Sequence, residues 1–212
     1  VQSCESWVRN VFNTKDKNSV YDRIIIMLFD IDQIAFRRQE SIGVRLEDLK
    51  AYPKETMEAL CAWMGIKEEP SLYEMTAQGK KWWGDPSSPD YSKEGMSAFG
   101  DSTIKRPVGS VFSEQDQFIL RTLFYPFRVR FGYVEENLEQ FKKDLQTIKP
   151  LLDEPFDFER ELAKVAEIST DALLESGSAQ YLRAGLHDRW DVLNEFHDYP
   201  YMLKPLNLLV KK

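Results

Sequence analysis

The chain has 212 residues, 42% of them hydrophobic and 30% charged, enough for one core-bearing domain with an appendage. Its 28 Lys and Arg against 35 Asp and Glu leave a net charge of −7. That excludes a general nucleic-acid binder with a net basic face, while a local basic pocket stays compatible with it. The longest strongly apolar run, Ile24 to Phe29, is far below the roughly 20 residues of a membrane-spanning helix. Cys4 and Cys61 form neither a metal spacing nor a disulfide framework. A soluble, intracellular protein without a metal is expected. The chain opens on Val1 with no secretory pattern, and its start is expected to be processed, cut or incomplete.

Trp7, Val8, Val11 and Phe12 make a short helical stripe. Tyr21, Ile24, Ile25, Leu28, Ile31 and Ala35 carry the 3.6-residue period through a longer helix. The period then changes to two: Ile42, Val44 and Leu46 alternate with Gly43 and Arg45, which predicts a strand. One strand alone leaves its backbone groups unsatisfied, so its partners are expected upstream or on another subunit. Met57, Leu60, Cys61 and Met64 return to helix spacing, with Pro53 before the first turn and Gly65 as the stop.

Residues 66–112 are the least regular and hold Trp82, Trp83, Tyr91 and Phe99. A long loop with that aromatic content is expected to be ordered and packed. Ser113 followed by Asp116 resembles a capping box, opening a helix through Phe118, Ile119, Leu123 and Phe127 to about Gly132. Further helices carry Leu138, Phe141, Leu145 and Ile148, then Phe158, Leu162 and Val165. The last helical region, from about Thr170 to Phe196, is expected to break near Gly185. From Tyr199 to Lys212, prolines 200 and 205 among apolar residues read as an extended arm that packs on something. The fold class is therefore mainly α with at least one short β-strand, organised as 1–133, a helical extension 134–198 and a tail 199–212.

The run Ser41-Ile42-Gly43-Val44-Arg45-Leu46-Glu47-Asp48-Leu49-Lys50-Ala51-Tyr52-Pro53, continuing to Leu60-Cys61-Ala62-Trp63-Met64-Gly65, resembles the strand–turn–helix of the sulfotransferases that use 3′-phosphoadenosine 5′-phosphosulfate. Their pattern there is an apolar strand, Arg-Tyr-Glu-Asp-Leu, a spacer with Pro and a helix closing on Leu-Gly; Leu46 replaces the Tyr. A second stretch is similar to the family's nucleotide loop. Lys105-Arg106 precedes Gly109-Ser110-Val111, and Ser113 opens a helix that ends at Gly132-Tyr133. Val111 stands where that family has Trp. The resemblance covers roughly residues 5–133 and corresponds to the later half of an α/β, P-loop-like enzyme.

The resemblance implies sulfonate transfer to a hydroxyl or amine acceptor, on a small molecule or a glycan. It implies cofactor binding by Lys105 and Arg106, with Gly109 shaping the loop. The family's earlier half carries a phosphate-cradling turn and the catalytic Lys, and no Gly-x-x-x-x-Gly-Lys-Ser/Thr turn occurs here. This chain alone is therefore expected not to be catalytic. The alternative is a non-catalytic structural subunit of a larger assembly, joined to a protein partner through the strand at 42–46 and the tail.

Other groups have a plainer reading beside the functional one. Lys105 and Arg106 are either a phosphate clamp, a task that suits the arginine fork, or a solvated basic pair. Lys80-Lys81-Trp82-Trp83 offers anion or purine stacking, against a packed loop with lysine stems on indoles. His187-Asp188 and His197-Asp198 read first as surface or capping groups. Arg121, Arg128 and Arg130 among aromatics read first as the margin of a core. Glu47-Asp48 reads as helix capping.

Overall fold

In the computed structural model, residues 1–33, 41–74, 76–77, 80–81, 108–199 and 202–208 are described. The helices are α1 (Gln2–Phe12), α2 (Lys17–Gln33), α3 (Leu46–Ala51), α4 (Pro53–Met64), α5 (Glu114–Leu123), α6 (Tyr125–Arg130), α7 (Leu138–Ile148), α8 (Asp157–Val165), α9 (Thr170–Leu174) and α10 (Gly177–Phe196). The fold is mainly α. Two compact units divide the chain: Val1–Ser41 with Arg106–Lys204, and Ile42–Lys105 with Pro205–Lys212.

The first unit is a helical cluster in which α10 packs against α2, α5, α7 and α9. The 3.6-residue stripes seen in sequence meet in one core. Val8, Tyr21, Ile24 and Leu28 face Ile119, Leu120, Leu123, Phe141, Leu145, Ile148, Leu182, Leu186 and Leu193. Each such side chain, fully buried, contributes about 1.5–3 kcal/mol of transfer free energy. The segment 134–198 thus shares its core with the first 33 residues. Trp190 enters it too, donating its indole N–H to the Leu145 carbonyl at 2.7 Å. Trp7 does not, being 43% exposed under the Arg23 guanidinium at 5.4 Å.

Local signals set most helix ends. Ser113 caps α5 in a complete capping box with Asp116, Asn137 caps α7, and Ser169 and Ser176 cap α9 and α10. Two expectations are corrected. The helix expected to run unbroken from Ser113 to Gly132 stops at Phe124 and restarts as α6, because Pro126 has no N–H to offer the Thr122 carbonyl. The break expected near Gly185 falls instead at residues 175–176, where the Ser176 hydroxyl accepts the Ala179 N–H. Gly185 is buried inside α10.

The beginning of the tail belongs to this unit. Tyr199 and Met202 are buried, the Tyr199 hydroxyl donates to the Leu123 carbonyl at 2.5 Å, and Arg130 holds the Met202 carbonyl and the Asp198 carboxylate. Arg130 is thereby a structural clamp at the margin of the core.

The second unit holds α3 and α4, a 3-10 turn at Pro70–Tyr73, and a two-residue antiparallel pair, Thr76–Ala77 with Lys80–Lys81. Gly65 ends α4 in the left-handed conformation, φ 68°, as its sequence position predicts. The strand expected over 42–46 is not formed. Only Gly43 makes an isolated parallel bridge, to Pro205, with the Leu206 N–H donating to the Gly43 carbonyl at 2.7 Å. The ladder cannot extend, since Pro205 lacks a donor and α3 begins at Leu46. Glu47 and Asp48 sit in the first turn of α3, where acidic groups favour the helix dipole, and Asp48 pairs with Arg45 at 3.7 Å. No helix among the described residues is long and apolar enough to cross a membrane.

Candidate anion site

The chemistry of the first unit concentrates where α1 meets the loop 109–111. On α1, Cys4 and Val8 lie one turn apart and are buried. Glu5, beside Cys4, is carried inward with them and is fully buried. A charge removed from water needs partners, and Glu5 has them. Its Oε1 accepts the N–H groups of Gly109 (3.1 Å), Ser110 (2.8 Å) and Val111 (3.1 Å), and the Ser110 hydroxyl (2.8 Å). Its Oε2 accepts Gly109 N–H at 2.9 Å. One turn along α1, Arg9 reaches Oε1 at 3.3 Å and donates through Nε to the Ser110 hydroxyl at 2.7 Å. Burial by itself pushes the Glu5 carboxyl up. The backbone and hydroxyl donors outweigh burial and hold the group below the usual Glu range.

Gly109 makes this geometry accessible. Its φ is +112°, a region that disfavours any residue with a Cβ. The nearest atom to a Cβ added there is Gln117 Nε2 at 3.6 Å, an ordinary contact, so the glycine is required by conformation and not by space. Gln117 links the loop to α5: its amide donates to the Phe112 carbonyl at 3.0 Å and accepts from Arg121 at 2.7 Å. Arg128 lies near Arg121. Burial first, and then the Arg121 guanidinium, lower Arg128 from its ordinary value. Among the described residues, no carboxylate forms an ion pair with Arg121 or Arg128. Three converging N–H groups, a hydroxyl and nearby guanidinium groups make an oxyanion cradle, and Glu5 occupies it.

Of the residues singled out in sequence, Gly109 shapes this cradle. Lys105 and Arg106 fall outside the described residues, as do Trp82 and Trp83. His187 pairs with Asp153 at 2.9 Å, and His197 is the left-handed cap of α10 at φ 56°. Cys4 has no nucleophilic character, because burial pushes its thiol up to about 12. Glu5, Arg9 and Ser110 belong to this cradle and were not among the site residues singled out in sequence. A signal for Glu5 was present: it stands three residues before Val8, on the apolar face of its helix.

Two other buried carboxylates bind amides within this unit. Asp116 accepts from Ser113, Asp157 and Phe158 N–H at 3.2, 2.9 and 3.0 Å. Glu159 accepts Phe156 N–H at 2.7 Å and the Tyr21 hydroxyl at 2.8 Å, and pairs with Arg183. Both tie helices together and leave no amide facing a ligand. Comparison with protein-family models, curated proteins and solved structures finds no match.

Proposed function

We propose that this chain is the later part of a sulfotransferase-like protein that transfers a sulfonate group from 3′-phosphoadenosine 5′-phosphosulfate to a hydroxyl or amine acceptor. In this reading the segment 105–111 holds a phosphate of the nucleotide. One observation carries it: the loop after Lys105-Arg106 presents three N–H groups and the Ser110 hydroxyl to a single oxyanion. Backbone amides fixed by a positive-φ glycine suit phosphate oxygens as well as a carboxylate. Arg9 and Arg121 add charge beside the loop, and the resemblance assigns Lys105 and Arg106 to the same phosphate. The cofactor supplies the sulfonate, and this chain's residues bind and orient its nucleotide end.

Calorimetric titration with adenosine 3′,5′-bisphosphate tests the reading. The double change Lys105→Ala, Arg106→Ala is expected to weaken binding at least tenfold. Unchanged affinity would remove these two residues from the site.

A second reading is favoured by the same cradle seen from the other side. Glu5 fills it from within the chain, which suits a non-catalytic structural subunit that keeps part of the fold. Exposed Leu46, Trp63, Met64 and Ile66 in the second unit add apolar surface for a protein partner. Sedimentation of the purified chain separates the readings. A monomer at micromolar concentration argues against the subunit, and self-association or partner capture through these residues argues for it.

A further inference from the structure

We propose that the Gly109–Ser110–Val111 cradle is an exchangeable oxyanion site that Glu5 keeps filled, so that α1 carries a built-in competitor for a ligand bearing phosphate or sulfate. This rests on the reading of 105–111 as a phosphate loop.

The first argument is the imbalance of donors. Five groups converge on Glu5 Oε1: the N–H of Gly109, Ser110 and Val111, the Ser110 hydroxyl and the Arg9 guanidinium. One donor, Gly109 N–H, reaches Oε2. A carboxylate oxygen offers about two lone-pair sites, so the donors exceed what one oxygen can accept well. A tetrahedral anion spreads three or four oxygens over the same donors. The same five donors can therefore serve a larger acceptor than one carboxylate oxygen.

The second argument is charge. Arg121 reaches the loop through Gln117. A guanidinium beside the loop with no carboxylate paired to it among the described residues favours an incoming anion.

The third argument is how little must move. Cys4 and Val8 hold α1 in the core, and the competitor is one side chain with three rotatable bonds. Rotation of Glu5 vacates the cradle while α1 stays packed. A tethered competitor acts at an effective concentration in the millimolar range or above, so it lowers the apparent affinity of a ligand by the fraction of time the cradle is open. Removing the carboxylate removes that competition.

The test titrates the full chain and Glu5→Ala with sodium sulfate and separately with adenosine 3′,5′-bisphosphate, against chloride at equal ionic strength. Backbone amide NMR signals of residues 109, 110 and 111 report the site. Sulfate is expected to shift these signals in Glu5→Ala at a concentration at least tenfold lower than in the wild type, with chloride inert. Equal or weaker sulfate binding in the variant, or shifts that avoid all three amides, would overturn the proposal. Glu5→Gln, which keeps the side-chain volume, is titrated alongside in case the Ala variant does not fold. In the wild type, saturating bisphosphate is expected to move the Glu5 carboxyl carbon signal as the side chain leaves.

The two readings fail separately. Sulfate binding that gains tenfold in the variant, with bisphosphate no tighter than sulfate, keeps the exchangeable site and removes the nucleotide. Bisphosphate that binds the wild type while the Glu5 carboxyl and the three amides stay unmoved keeps the nucleotide and removes the competitor.

Discussion

Glu5 and Gly109 are joined twice. The Gly109 N–H lies 3.1 Å from Oε1 and 2.9 Å from Oε2 of the Glu5 carboxylate, so one amide bisects the group and sets its orientation. The other donors then load one oxygen. The pair links α1 to a loop 104 residues away, and the conformation of a single glycine decides whether the link exists.

Glu5 is therefore expected to stabilise the fold in a pH-dependent way. Its folded-state pKa lies below its ordinary value of 4.5. A depressed acid contributes stability that is fully present above the unfolded pKa and is lost as pH falls through the folded one. Glu5→Gln is expected to cost about 2 kcal/mol at pH 7, the scale of hydrogen bonds to a buried charge. The gap to wild type should stay constant well above the ordinary value of 4.5 and narrow as pH falls below it. Urea unfolding at a series of pH values checks this, and a gap that does not narrow in acid would contradict it.

Gly109→Ala isolates the backbone term. The added methyl meets nothing closer than 3.6 Å, so the cost comes from φ +112° and is expected to be about 2 kcal/mol. Trimming the neighbour in the double variant Gly109→Ala, Gln117→Ala should give no rescue. A rescue in thermal melts would show that the clash was steric.

Asp116 has two roles, which predict two sizes of effect. Ser113→Ala removes only the cap and is expected to cost about 1 kcal/mol. Asp116→Ala also orphans the N–H groups of Asp157 and Phe158 at the start of α8, with about 3 kcal/mol expected from the uncompensated donors together. Burial raises the Asp116 carboxyl above 3.8, with its amide donors pulling the other way. A carbon-detected titration should place Asp116 above that value and Glu5 below 4.5, opposite departures within one domain.

What the sequence made legible follows the range of the interaction. The helix from Pro53 to Gly65 and the box of Ser113 with Asp116 are written within a dozen residues, and the structure forms both. At 42–46 only three residues alternate, and so short a strand signal loses to a helix start at Leu46. Pro126 was visible, yet the apolar period running through it hid the break. Gly109 was reached through a resemblance that named the loop but could not show its occupant. Glu5 showed in sequence only as a charge on the apolar face of its helix; its loop partners, more than a hundred residues on, did not. The second role of Asp116 was hidden likewise, 41 residues from Asp157.

The contact of Arg183 with Glu159 gives the sharpest stability prediction. Glu159 is fully buried, and the Arg183 side chain is 15% exposed, so neither is screened as a surface pair would be. Arg183 also lies over the Phe156 ring at 5.0 Å. Removing it leaves the Glu159 charge with one hydroxyl and one amide. Arg183→Met keeps most of the packing and is expected to destabilise by about 3–5 kcal/mol, the scale of an orphaned buried charge. Tyr21→Phe removes a single donor and is expected to cost about 1–2 kcal/mol. Neutralising both partners, in Glu159→Gln with Arg183→Met, should recover part of the loss, because the cost of the single change lies in the charge left behind and not in the attraction removed. Urea midpoints of the two single variants and the double close the cycle. Additive losses would mean that the two groups do not interact, against the geometry that joins α8 to α10.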